Sequence, residues 1–305
     1  MLQKQRGNIM TTKSLTVRQN KLIEEALAIQ EEAATVKGYL GFITQALAQI
    51  TLPHTNQNTT VFSRTNGRIK LSIVSPEYGL PYGSIPRLIL GWLCTEVVRT
   101  KSLEISLGTS QSEFLKKIGL ENNGRDIARL KNQALRLFDS VITVYTNIGN
   151  QKGFEKITLA KNAFIFWNSQ DPDQRSVWNS TLTITRDFYN EIIKSPVPID
   201  LRVLHALSKS PLAMDIYTWL NYRMFLLKIS RKREVLIPWN SLKNQFGSTF
   251  AENLQGLRDF KKQFKKRLRE VLLFYPEATE HVDEMDKHLR LTPCKLHLKQ
   301  KQIEA

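Results

Sequence analysis

Basic residues at helical spacing are the residues of this chain best suited to do chemistry, and they are densest between positions 254 and 273. Seven basic and two acidic residues there leave a local charge of +5 (seven minus two). Apolar residues at spacings of three and four predict a core-facing stripe, made of Leu257, Phe260, Phe264, Leu268 and Val271. About a third of a turn away lies a stripe of cations, Arg258, Lys262, Lys265 and Arg269, which Lys261 and Lys266 broaden.

Such a cationic stripe can bind a polyanion, because neutralising phosphates releases their counterions and favours association. A helix of this pattern that follows a shorter helix is what recognition in a DNA major groove requires. A solvated helix face and a helix lying on a membrane surface are the alternatives. The two phenylalanines of the apolar stripe lie within a domain-like run of elements, which disfavours the membrane.

An earlier segment, residues 124 to 138, separates its faces in the same way. Its inward stripe is Ile127, Leu130, Ala134 and Leu137, and its polar stripe is Arg125, Arg129, Asn132 and Arg136. Arginine can bind guanine edges and asparagine adenine edges through paired hydrogen bonds, although both also contact phosphates. Two such stripes strengthen the prediction of a double-stranded DNA partner, while the division between base and phosphate contacts stays open.

The sequence lacks the common signatures of catalysis. The sequence has no phosphate-binding G-x-x-x-x-G-K-[ST] loop and no pair of histidines around one apolar residue, the metal site of rolling-circle nickases. His281, His288, Cys294 and His297 match no standard zinc spacing. We therefore expect no enzymatic activity, no cofactor and no metal.

The overall composition agrees with a basic DNA-binding protein. The 305 residues include 44 Lys and Arg against 28 Asp and Glu, a net charge of +16, which attracts polyanions. No stretch of about 18 apolar residues and no secretory signal is visible. Two cysteines fit a reduced compartment, so we expect a cytoplasmic protein of about two domains, without a membrane partner.

Helical periodicity runs from about residue 18 to 50, weakened by Gly38 and Gly41, and a polar linker follows. From residue 76 the elements run helix, strand, helix, helix, strand, turn, strand, the order of a winged helix with a β-hairpin wing around the loop GNQKG. A similar order returns after residue 178. The predicted fold class is α+β, mainly α: an N-terminal helical segment and linker (1–75) and two tandem winged-helix domains (76–178 and 179–305).

Several blocks resemble the RepA-type initiators of bacterial plasmids. They are GLPYGSIPRLILGWLCTEVVRTKS, LGTSQSEFLKKIGL, GRDIARLKNQALRLF, PVPIDLRVLHALSKSPLAMDIYTWLNYRMF and the LKNQFG helix, which together span roughly residues 76 to 291. The resemblance implies two winged helices that bind direct repeats, called iterons, at a plasmid origin. It implies that the C-terminal winged helix reads the repeat through Arg258, Lys262, Lys265 and Arg269, while the N-terminal one contacts flanking backbone or pairs two protomers.

The resemblance further implies that monomers open AT-rich DNA, that dimers repress the protein's own gene, and that the host replicative helicase and host initiator are partners. A transcriptional repressor that binds an inverted repeat is the alternative. A nicking enzyme is disfavoured by the missing histidine pair. The role of the N-terminal helix stays open between dimerisation, partner recruitment and simple packing.

Overall fold

The computed structural model describes residues 16–30, 38–49, 51–67, 69–108, 110–148, 151–163 and 181–298. Its helices are α1 (Val17–Gln30), α2 (Gln45–Gln49), α3 (Ser84–Thr100), α4 (Gln111–Lys117), α5 (Gly124–Asp139), α6 (Arg186–Lys194), α7 (Leu201–Ala206), α8 (Pro211–Ser230), α9 (Trp239–Phe246) and α10 (Leu254–Leu272). Its strands are β1 (Leu40–Ile43), β2 (Val61–Thr65), β3 (Ile69–Val74), β4 (Glu104–Ser106), β5 (Val141–Ile148), β6 (Gln151–Thr158), β7 (Ala160–Ala163), β8 (Thr181–Ile184), β9 (Val197–Asp200), β10 (Val235–Pro238), β11 (Val282–Glu284) and β12 (His288–Leu291). Short 3-10 helices lie at Leu207–Lys209 and Pro276–His281. The fold is thus a mixture of helices and antiparallel sheets.

The first unit contains α3, β4, α4 and α5, followed by a sheet of order β4-β8-β7. Ser110 caps α4 by accepting a hydrogen bond from the Glu113 N–H, and Asn123 caps α5 by accepting one from the Asp126 N–H. Leu130 and Leu137 of α5 are fully buried. The caps and the buried stripe fix where α5 begins and which side faces solvent.

The second unit repeats this order with α8, β10, α9 and α10, followed by a sheet of order β10-β12-β11. In both sheets the strand after the first helix lies at one edge and the last strand lies in the middle. α5 and α10 are therefore equivalent helices of two units that share an element order.

The predicted β-hairpin forms, but it pairs elsewhere than expected. β5 and β6 join β2 and β3 in a four-stranded sheet of order β2-β3-β5-β6, rather than the β4 sheet of the first unit. The strand β2 lies in the stretch predicted to be a linker. Leu71 and Ile73 of β3 are fully buried on the inner face, so the hairpin extends a sheet that already covers apolar core.

The N-terminal segment is also more varied than its periodicity predicted. α1 ends at Gln30, while β1 and the short α2 occupy the later part of the expected helix. β1 pairs with β9, and Gly41 in β1 packs so closely on Leu201 that a Cβ atom would lie 2.6 Å from that side chain. A larger residue at this position would require the Leu201 side chain to move.

A buried ionic cluster joins the two units. Arg87 of α3 donates Nε and Nη2 to the Asp215 carboxylate of α8 at 2.6 and 2.7 Å, and His54 Nε2 lies 2.8 Å from the same carboxylate. The remaining Arg87 donors bind the carbonyls of Leu52, Pro53 and Gly83. Because each charge is paired in a dry environment, removing one partner would leave the other without compensation.

The division at residues 75 and 178 stays a prediction. β8, which follows residue 178, pairs with β4 and β7, and the buried apolar side chains form a continuous cluster across both units.

Candidate nucleic-acid interface

Aromatic side chains pack against the buried side of α10. Phe264 lies 5.8 Å from Trp239, 5.6 Å from Phe246 and 6.3 Å from Trp219, measured between ring centroids. Phe260 and Phe264 are both fully buried, as the apolar stripe predicted. These contacts fix the rotation of α10 and therefore decide which of its cations reach solvent.

Three cations of α10 form its exposed stripe. Arg258, Lys262 and Lys266 follow one another at spacings of four, and all three are exposed. None of them has an ion pair or hydrogen bond within the described part of the chain. They are available to a polyanion without first breaking an internal contact.

The other predicted cations of α10 are tied to the turn between β11 and β12. Lys261 and Lys265 each lie 5.4 Å from the Trp239 ring, and Lys261 Nζ also donates to the Asp286 carbonyl at 2.7 Å. Lys265 and Arg269 share the Glu284 carboxylate at 3.4 and 2.9 Å. The structure thus separates the predicted stripe into free cations and cations that hold the turn against the helix.

The α10 helix begins with a close backbone approach. Asn253 accepts a hydrogen bond from the Gly256 N–H, and a Cβ atom at Gly256 would lie 1.9 Å from the Ala251 carbonyl oxygen. Only glycine fits this position without a shift of the chain. The turn between α9 and α10 is therefore tighter than a side chain would allow.

The far end of α10 contacts the N-terminal helix. Arg18 of α1 forms a 3.1 Å salt bridge with the buried Glu270, which also pairs with Arg267 at 2.6 Å. Gln30 donates to the Leu273 carbonyl at 3.0 Å. α1 therefore packs against the end of α10, while its role in dimerisation or partner recruitment stays open.

α5 presents a weaker version of the same surface. Arg125 is exposed without a partner in the described residues, whereas Arg129 pairs with Asp126 at 3.0 Å. Asn132 accepts a hydrogen bond from Arg136 Nε at 2.9 Å. Arg136 is half-buried, stacks 5.4 Å from the Tyr82 ring and donates to the Leu80 carbonyl, so it secures the loop before α3.

Sequence reasoning missed two exposed lysines beside these stripes. Lys131 lies on α5 next to Asn132, and Lys287 lies in the turn between β11 and β12. The first falls outside the four-three-four pattern. Lys287 lies near the cations of α10 only because the tertiary structure brings this turn to the side of that helix.

Three of the four residues considered for zinc, His281, Cys294 and His297, contact other side chains. His281 Nδ1 lies 3.0 Å from the Thr292 hydroxyl, and Cys294 Sγ lies 3.4 Å from the Tyr275 hydroxyl. Burial lowers the pKa of His297, which packs between the rings of Tyr217 and Tyr275. No group of three or more possible metal ligands occurs among the described residues, nor does any helix there have the length and apolarity to cross a membrane.

Similarity to known proteins decides the family. The model for the plasmid-encoded RepA protein matches residues 80–241, more than half of the chain. The chain belongs to this RepA family. The resemblance to RepA-type plasmid replication initiators is therefore confirmed. The match includes α5 and ends within α9. The equivalence of α10 to α5 therefore depends on the structure and not on the family match.

Solved structures of RctB have a similar fold. One contains domains 2 and 3, and the other is their selenomethionine derivative. Both align with a TM-score of 0.50, at 13% and 12% identity, over 82% and 81% of this chain and 97% and 95% of theirs. At such identity the likeness concerns the fold alone. The chain matches none of the curated proteins.

Proposed function

We propose that this RepA-family chain initiates plasmid replication by binding repeated double-stranded sequences, the iterons, at the origin. The observation that carries the proposal is the repeated unit: two sheets of equal strand order, each beside an equivalent helix with exposed cations. Both units have the element order of a winged helix, and we interpret them as tandem winged-helix domains. In such a domain the second helix of the helix-turn-helix enters the major groove.

In this proposal α10 is the principal reading helix. Its free cations, Arg258, Lys262 and Lys266, neutralise phosphates or contact base edges without a loss of internal ion pairs. Lys265 and Arg269 act indirectly, because they hold the turn between β11 and β12 beside the helix. α5 contributes Arg125 and Lys131 to the flanking backbone.

The mechanism uses binding energy and no bond chemistry. DNA deformation costs a few kcal/mol, which the added protein contacts repay, and AT-rich DNA is the segment that opens. The family leads us to propose the host replicative helicase and host initiator as partners, a monomer–dimer equilibrium, and action in the bacterial cytoplasm.

Footprinting of the purified protein tests this proposal on fragments that carry head-to-tail repeats beside AT-rich DNA, over a series of salt concentrations. Protection of every repeat together with unpaired bases in the AT-rich part is the expected result. Protection of one inverted repeat without opening would identify a repressor instead. Protection without any sequence preference would overturn the proposal.

A further inference from the structure

The four-stranded sheet β2-β3-β5-β6 has an outward face that the proposed DNA contacts of α5 and α10 leave unused. Its inner face carries the buried Leu71, Ile73 and Ile142, whereas the alternate positions lie in three cross-strand rows. The row nearest the β5–β6 turn is Thr65, Lys70, Tyr145 and Phe154, and the next is Ser63, Ser72, Thr143 and Lys156. The last row is Val61, Val74, Val141 and Thr158.

Two aromatic side chains on this face are open to solvent. Phe154 is 68% exposed and Tyr145 is 40% exposed, and their ring centroids lie 6.3 Å apart. Large aromatic side chains usually bury most of their area. A directly paired set of exposed rings on a sheet therefore presents two stacking surfaces.

The charges on the face are all positive. Lys70 Nζ lies 5.7 Å from the Tyr145 ring, and Lys156 is exposed in the next row. The other residues of the three rows carry no charge, and the nearby Glu155 points to the opposite side because side chains alternate along a strand. The rings are thus bordered by cations without a competing carboxylate in these rows.

Exposed rings bordered by cations suit single-stranded nucleic acid. Unpaired bases stack on aromatic rings whatever their sequence, while nearby cations follow the phosphates. Duplex DNA does not offer its base faces. Two copies of the sheet packed face to face would bring lysines of equal charge together.

We propose that this face binds single-stranded DNA, with bases stacked on Phe154 and Tyr145 and phosphates beside Lys70 and Lys156. The inference rests on the proposed function, because origin opening supplies the unpaired strand. One surface of the protein would then hold the strand that duplex binding by α5 and α10 helps to separate.

The test measures the affinity of the full chain for an oligothymidylate of about 16 nucleotides and, separately, for the duplex repeat. The change is Tyr145→Ala with Phe154→Ala. Loss of stacking should weaken oligothymidylate binding at least about fivefold for each ring, while duplex affinity stays the same. Val61→Ala with Val74→Ala is the matched control, since it trims the same face without removing a ring, and Phe154→Trp should preserve binding.

Unchanged oligothymidylate affinity in the double aromatic variant would overturn the inference, as would a wild-type chain that binds the duplex repeat but no single strand. Sedimentation of the two double variants tests the alternative that a second copy of the chain binds this face. If both convert a dimer to monomers and neither changes oligothymidylate binding, the face pairs two copies. The protein could also bind the single strand through these rings and show no preference for repeats. That result would support this inference and refute the proposed function.

Discussion

The exposed stripe of α10 gives the sharpest test of DNA contact. Lys262 and Lys266 are exposed and have no partner within the described residues, so Lys262→Ala with Lys266→Ala should leave the fold unchanged. If each lysine neutralises one phosphate, the slope of log affinity against log salt falls by about 1.8, at about 0.9 for each contact. The ratio of wild-type to variant affinity should then shrink about 12-fold between about 50 mM and about 200 mM salt.

The assay measures equilibrium binding of the duplex repeat by fluorescence anisotropy at several salt concentrations. Lys194→Ala with Lys209→Ala removes the same charge from exposed positions outside α5 and α10 and should keep the slope. Lys261→Ala with Lys265→Ala is a second comparison on the same helix, which should lower the melting temperature because it removes both cations stacked on Trp239. An unchanged slope in the Lys262 and Lys266 variant would show that the stripe does not touch the DNA backbone.

Three further predictions concern base reading, helix geometry and pH. Arg258→Ala should relax discrimination at one base pair by about 1–3 kcal/mol, measured with single-base variants of the repeat; equal weakening on every sequence would assign Arg258 to phosphate. Gly256→Ala should lower the free energy of unfolding by about 1–3 kcal/mol, since its Cβ would overlap backbone, whereas Gly124→Ala meets nothing within 4 Å and should be tolerated; equal urea midpoints would contradict this. Burial lowers the pKa of His54 and His297 from 6.5, so the unfolded chain takes up protons that the folded chain does not, and stability should fall below about pH 6.5 by up to about 1.4 kcal/mol per pH unit for each histidine. Urea unfolding at several pH values measures this loss; a His297→Gln variant with the same pH dependence would refute the part assigned to His297.

Local patterns predicted the elements that carry the site. The period of apolar residues predicted α10 and α5. These features depend on residues three or four positions apart, so one sequence contains the whole signal. The hairpin β5–β6 was predicted for the same reason.

Contacts between residues far apart in the chain could not be predicted from the sequence. The hairpin could have paired with any free strand, and its partner β3 lies about seventy residues earlier. Lys265 and Arg269 resembled the free cations Arg258 and Lys262 in spacing, because their partner Glu284 lies on another element. Periodicity states which side of a helix is polar, but it does not state which polar side chains are already paired.

The buried cluster of Arg87, Asp215 and His54 has a consequence for the length of the DNA site. It fastens the first helix of one unit to the first helix of the other and so restrains movement of the two units relative to each other. A protein with two freely linked DNA-binding units tolerates extra base pairs between its half-sites. If both units bind DNA as proposed, we expect this chain to require a constant spacing. One inserted base pair displaces the second half-site by about 3.4 Å and rotates it by about a tenth of a turn, so on this proposal the insertion should weaken binding. For such an initiator, the spacing within the origin repeat is as much a part of the recognised sequence as the bases themselves.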